Sequence, residues 1–113
     1  MTARRRWVWL ALAAVSVLRA GAARADDAVF DIAVAQGKFD PVELVVPADT
    51  AFKVRVTNRD GAAIEFESFE LHRERVVQPG ETITVLLPAL KTGRYAYFDD
   101  FHDDTPHGAI VVK

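Results

Sequence analysis

Six titratable side chains crowd one short stretch near the C-terminus: Asp99, Asp100, His102, Asp103, Asp104 and His107. The four carboxylates fall within six consecutive positions and repel one another. A fold that orders them needs solvent, counter-charge or a cation to relieve that repulsion. Two imidazoles stand among the acids, and imidazole is a common ligand for borderline metals. Tyr95, Tyr97, Phe98 and Phe101 lead into and interrupt the run, which points to an ordered segment rather than a solvated acidic loop. A second acidic pair, Glu65 and Glu67, occupies alternate positions of a segment whose other members are Ile64, Phe66 and Ser68. The chemistry on offer is cation binding by oxygen and nitrogen donors. There is no glycine-rich phosphate loop, no serine with a plausible His/Asp arrangement and no basic-aromatic stripe, so hydrolase and nucleic-acid readings have no support.

The elements that must position these residues read as short β-strands, with no helical stretch. Phe30 to Val34 and Val42 to Val46 are two; Pro41 and Pro47 bound the second. Phe52, Val54 and Val56 alternate with Lys53, Arg55 and Thr57, and the turn Asn58-Arg59-Asp60-Gly61 stops that strand. Ile64 to Ser68 follows, then Glu70 to Val77 before Pro79-Gly80, Thr82 to Leu87, Arg94 to Phe98, and Ala109 to Lys113. Seven or eight strands punctuated by turns read as a β-sandwich or small barrel, and pairs among them fit a Greek-key β-sandwich, an all-β fold. Strand parity assigns the core to Ile32, Val34, Leu44, Val46, Phe52, Val54, Val56, Ile64, Phe66, Ile83, Val85, Leu87, Tyr97 and Val111.

Residues 1–25 read as a signal peptide. Arg4 to Arg6 make a basic start, Trp7 to Leu18 a mainly apolar run, and Ala23-Arg24-Ala25 a small-x-small cleavage pattern. The apolar run is shorter than the roughly 20 residues a spanning helix needs. Residues 26–113 then form one small domain in an exported, periplasmic protein with no membrane span. That part carries nine Lys and Arg against 16 Asp and Glu, a net charge of −7 where the whole chain has −2. The negative charge argues against nucleic acid or an anionic membrane as partner and suits a cation. There is no cysteine, and the single Met is the first residue, so neither disulfides nor soft sulfur ligands are available.

Several segments resemble the cupredoxins. They are Phe39 with Pro41-Val42-Glu43 and Pro47-Ala48; Val56-Thr57-Asn58; Val77 to Gly80; and Gly93-Arg94-Tyr95 through Asp99 and His102 to His107-Gly108-Ala109-Ile110-Val111-Val112. On that resemblance the blue-copper cysteine position falls on Asp99, the following histidine on His102, and the methionine near Pro106 with His107 beside it. The family's other histidine would lie within Ile64 to Ser68, where there is none. A blue-copper centre needs a thiolate, so the resemblance implies the fold without that centre. Oxygen donors in its place favour Cu(II), Fe(III) or Fe(II) over Cu(I).

A narrower likeness rests on Glu65-Phe66-Glu67-Ser68, Leu71 with Arg73-Glu74-Arg75, and Phe98-Asp99-Asp100-Phe101-His102. This pattern resembles the cupredoxin-like domain of periplasmic components of bacterial ferrous-iron uptake systems, of the FtrB and EfeO types. It implies a non-blue site for a copper or iron ion, and an iron permease or another iron-uptake component as partner. His102, Asp99 and Glu65 lead the candidate ligands, with Glu65 expected to face the Asp99–His107 loop; Glu67, Asp100, Asp103 and His107 follow. His72 reads as a solvated strand residue, and Glu74 is expected to pair with a neighbouring arginine. Two other functions stand beside metal binding: a metal-free interaction module for a membrane permease, and a copper-dependent ferroxidase.

Overall fold

The computed structural model describes residues 24–113. The expected leader lies almost wholly outside them. Nine strands follow in order: β1 (Val29–Ala35), β2 (Lys38–Asp40), β3 (Glu43–Val46), β4 (Phe52–Asn58), β5 (Ile64–Ser68), β6 (Arg73–Val77), β7 (Thr82–Leu87), β8 (Gly93–Asp99) and β9 (Gly108–Val112). They form two sheets, β2-β1-β4-β7 and β3-β9-β8-β5-β6. Pairs β1–β4 and β3–β9 run parallel and the other pairs antiparallel. The expected all-β sandwich is therefore the observed fold, with one strand more than the sequence pattern suggested. The extra one is β2, three residues that turn back on β1 after Gln36-Gly37, both at positive φ.

The core lies between the sheets and follows the period of two. β4 and β7 alternate buried and open positions along their length, matching Phe52, Val54 and Val56 to Leu87, Val85 and Ile83 across the ladder. The parity expectation fails in β9. Its register sets Leu44 beside Ile110 and Val46 beside Val112, so Ile110 and Val112 face inward and Val111 is only half-buried. Phe39, Leu71 and Val77 also join the core. Tyr97, fully buried, sits edge-on to Phe39 at 4.8 Å between ring centres and lies 5.2 Å from Phe66. Its hydroxyl donates to the Pro41 carbonyl at 3.2 Å, which satisfies the polar tip of a buried ring.

Two details of the fold set up the acidic region. The side chain of Asn58, at the end of β4, is wholly buried; its Nδ2 donates to the carbonyls of Ala62 (2.8 Å) and Val77 (3.0 Å), and its Oδ1 accepts from Asp60 N (2.9 Å). One amide thus shapes the turn that delivers β5. The segment expected to be strand from Glu70 begins only at Arg73, because Phe69 to His72 form a tight turn with His72 at φ 53°. His72 is exposed in that turn rather than on a strand.

Candidate metal centre

Strand register decides which acids meet. β5 and β8 pair with Phe66 opposite Asp99 and Glu67 opposite Phe98. Cross-strand partners share a face. Phe66 is in the core, so Asp99 points inward with Ile64 and Tyr97; Glu65 and Glu67 point outward, on the face of Phe98. Asp100, one residue beyond β8, joins the outer side. The fold therefore separates the expected Asp99–Glu65 pairing into two constellations on opposite faces of one sheet.

On the outer face Glu65, Glu67 and Asp100 each present a carboxylate oxygen within 4.8 Å of the others. Glu65 exposes only 9% of its surface. Burial, followed by the charge of Glu74 and by Asp100 and Glu67, pushes its carboxyl up to about 7. Glu67 is also raised, first by burial and then by the charges of Asp100 and Glu74. Glu74 stands directly across from Glu67 in the β5–β6 register. Like charges opposed across a ladder are unfavourable. The expected arginine partner for Glu74 does not materialise: among the described residues, the ion pairs of lysine or arginine with a carboxylate join Asp31 to Arg55 and Glu43 to Arg94. The charge on this face is held down by protons, or can be neutralised by a cation.

On the inner face Asp99 is 4% exposed. Its Oδ1 accepts the backbone N–H of Glu65 at 3.0 Å and of Phe101 at 3.1 Å. Its Oδ2 lies 2.7 Å from Nδ1 of His102. A small recess beside them, about 170 Å³, is lined by Gly37, Asp60, Ala62, Ile64 and Thr105 as well as Asp99 and His102.

The remaining candidates lie along the outer groove. The His107 ring stacks on Phe98 with centres 5.2 Å apart, and Phe69 packs against Phe98 at 5.1 Å. Asp100, Asp103 and His107 share an open groove of about 490 Å³ with Phe69, Glu70 and Ala96. Asp104 is exposed. The i, i+2 spacing of Glu65 and Glu67 was the legible signal for the outer cluster. The part of Glu74 was hidden in the β6 register, which a late strand start shifts.

This two-sheet topology, with a recess between the ends of β5 and β8, is that of a cupredoxin. The sequence profile of the family described as "Cupredoxin-like domain" matches residues 7–112, and the chain belongs to that family. A relative, "Uncharacterized protein RP394" of Rickettsia prowazekii (strain Madrid E), is 43% identical over 82 residues. That match covers 73% of this chain and 66% of the relative, just under two thirds of its length. Among solved structures, a purple cupredoxin from Nitrosopumilus maritimus superposes with a TM-score of 0.59 at 18% identity, covering 74% of this chain and 99% of that one. The Cu(I) form of an amicyanin variant gives 0.62 at 18% identity, covering 83% and 93%. Both likenesses concern the fold.

Cupredoxin architecture implies copper, and the residues present do not fit a blue-copper ion. The chain has no thiolate. Both oxygens of Asp99 are engaged by two amides and an imidazole. The β5 residue facing the recess is Ile64. Without a sulfur donor the thiolate–copper electronic structure cannot form.

Proposed function

We propose that this chain is a cupredoxin-like metal-binding protein whose site lies outside the family's copper recess, at Glu65, Glu67 and Asp100. One observation carries the reading: three carboxylates converge within 4.8 Å, with a fourth, Glu74, across the ladder and no cationic side chain paired to any of them among the described residues. An all-oxygen set suits a hard cation such as Fe(III) and accommodates borderline ions such as Fe(II) or Cu(II), held at carboxylate oxygens. When bound, such an ion would supply positive charge and, if redox-active, a one-electron couple.

The chain's own part is electrostatic. With its carboxyl near 7, Glu65 holds a proton for much of the time at neutral pH and must release it for a cation to enter. Glu67, raised by the same crowding, supplies a second oxygen from the same strand face, and Asp100 closes the set from the loop after β8. The shallow position of the cluster suits reversible loading and hand-over. The leader read in residues 1–25 and the likeness of the Glu65–Ser68 and Phe98–His102 strings to iron-uptake components support a role in the periplasm as accessory to an iron permease.

Calorimetric titration of protein lacking residues 1–25 with Fe(III)–citrate and with Cu(II) at pH 7.5 tests the site. One ion per chain is expected, with affinity falling about 10-fold or more in Glu65→Gln and in Glu67→Gln, at least what loss of an outer-sphere partner costs. Binding that neither substitution alters, or no binding, would leave the fold as a metal-free interaction module.

A further inference from the structure

We propose that the recess beside Asp99 and His102 is, in this chain, a metal-free clamp, in which Asp99 is a positioning residue that fixes the spacing of the Glu65 and Asp100 carboxylates on the opposite face of the sheet. The inference rests on the reading of Glu65, Glu67 and Asp100 as a cation site.

Regular pairing between β5 and β8 ends at Phe66–Asp99, one residue short of both Glu65 and Asp100. Beyond that pair a single backbone bond joins the two segments, Asp100 N donating to the Glu65 carbonyl at 2.9 Å. The Asp99 side chain adds a second tie: one oxygen accepts from Glu65 N at 3.0 Å and from Phe101 N at 3.1 Å, on either side of the seam. The second oxygen meets His102 Nδ1 at 2.7 Å, which orients the carboxylate. An ordinary turn hydrogen bond explains the Phe101 contact, two residues away. It does not explain the Glu65 contact, made across 34 positions of sequence to the residue that carries a candidate ligand.

The two roles open to Asp99 make different demands. A metal ligand at this position needs the negative charge. A clamp needs an acceptor oxygen of the same shape, which asparagine supplies.

The test uses Tb(III) as a hard-cation probe, reading affinity from sensitised luminescence and the number of bound waters from lifetimes in H2O and D2O, with metal-free melting curves to show folding. Asp99→Asn is expected to bind within about threefold of the parent, the scale of one altered neutral hydrogen bond. Asp99→Ala is expected to weaken binding about 10- to 100-fold, as lost supporting partners do, and to admit at least one further water because the carboxylates no longer converge. Glu67→Gln, a ligand change, weakens binding whatever Asp99 does. If Asp99→Ala does not fold, Asp99→Asn still decides: a loss as large as that of Glu67→Gln makes Asp99 a ligand and overturns the clamp. Folded Asp99→Ala with parental affinity and hydration overturns it too, while leaving the carboxylate site standing. A parent protein that takes up no Tb(III) removes the site and the clamp together.

Discussion

Asp99 Oδ1 accepts the backbone N–H of Glu65 at 3.0 Å, while the Glu65 side chain leaves for the other face of the sheet. The two acids are thus neighbours through the backbone and strangers through their carboxylates. An inward acid saturated by hydrogen bonds and an outward acid crowded by charge have different chemistry, and the predictions below separate them.

The metal-free protein should lose stability as pH rises from about 5 to 7.5. Glu65 titrates near 7 in the fold against an ordinary 4.5, so between those values the folded state binds more protons than the unfolded state. Stability then falls with rising pH across that window. Asp31, held low by its hydrogen bond to Arg55, works in the opposite sense: its contribution is present above the ordinary aspartate value of 3.8 and is lost on acidification through its lowered folded value. Melting curves should therefore peak near pH 5. Glu65→Gln should melt higher than the parent at pH 7.5 and show a flatter profile. A parental slope in that variant would show that Glu65 is not the source.

Protein loaded with Cu(II) should lack an intense blue thiolate-to-copper band, since the chain has no cysteine. Only weak ligand-field absorption is expected. A strong blue spectrum from this sequence would contradict the donor assignment directly.

Gly108→Ala should be strongly destabilising. A Cβ at this position would lie 2.3 Å from the Tyr97 ring, which is wholly buried and wedged against Phe39 and Phe66. Overpacking of this kind costs about 1–3 kcal/mol or more, read as a lowered midpoint in denaturant. A neutral result would mean that the ring has room to move, against its packing.

Asn58→Ala should cost about 2–3 kcal/mol, because the Ala62 carbonyl and the buried Val77 carbonyl each lose a donor. The effect should extend to the outer face, since the same amide shapes the turn into β5. Metal affinity is therefore expected to drop alongside the denaturation midpoint. Unchanged affinity would place the β5 register under the control of β8 alone.

Much of the fold was legible because alternation is a local signal. Phe52, Val54 and Val56 declare their face within one strand, and the turn at Asn58 to Gly61 closes it. β9 escaped because nothing in Gly-Ala-Ile-Val-Val distinguishes the two faces; its partner β3 decides, placing Ile110 and Val112 inward. At the site, residue types gave the chemistry and the crowding, including all three outer carboxylates. They did not give the division between faces, which depends on how β5 meets β8, two strands more than 20 residues apart in the chain. Nor did they reveal Glu74 as a neighbour rather than the partner of an arginine. That needed the turn at Phe69 to His72, where a residue at positive φ delays the start of β6.

Proton release on metal uptake tests the central claim most directly. Cu(II) titrations at pH 6.5 in buffers of different ionisation enthalpy give the number of protons displaced per ion bound. If the cation enters among Glu65, Glu67 and Asp100, the parent protein should release about one proton more than Glu65→Gln, because Glu65 is mostly protonated at that pH and must lose its proton to coordinate. Equal proton release by the two proteins, at equal affinity, would show that the ion binds elsewhere and would contradict the account.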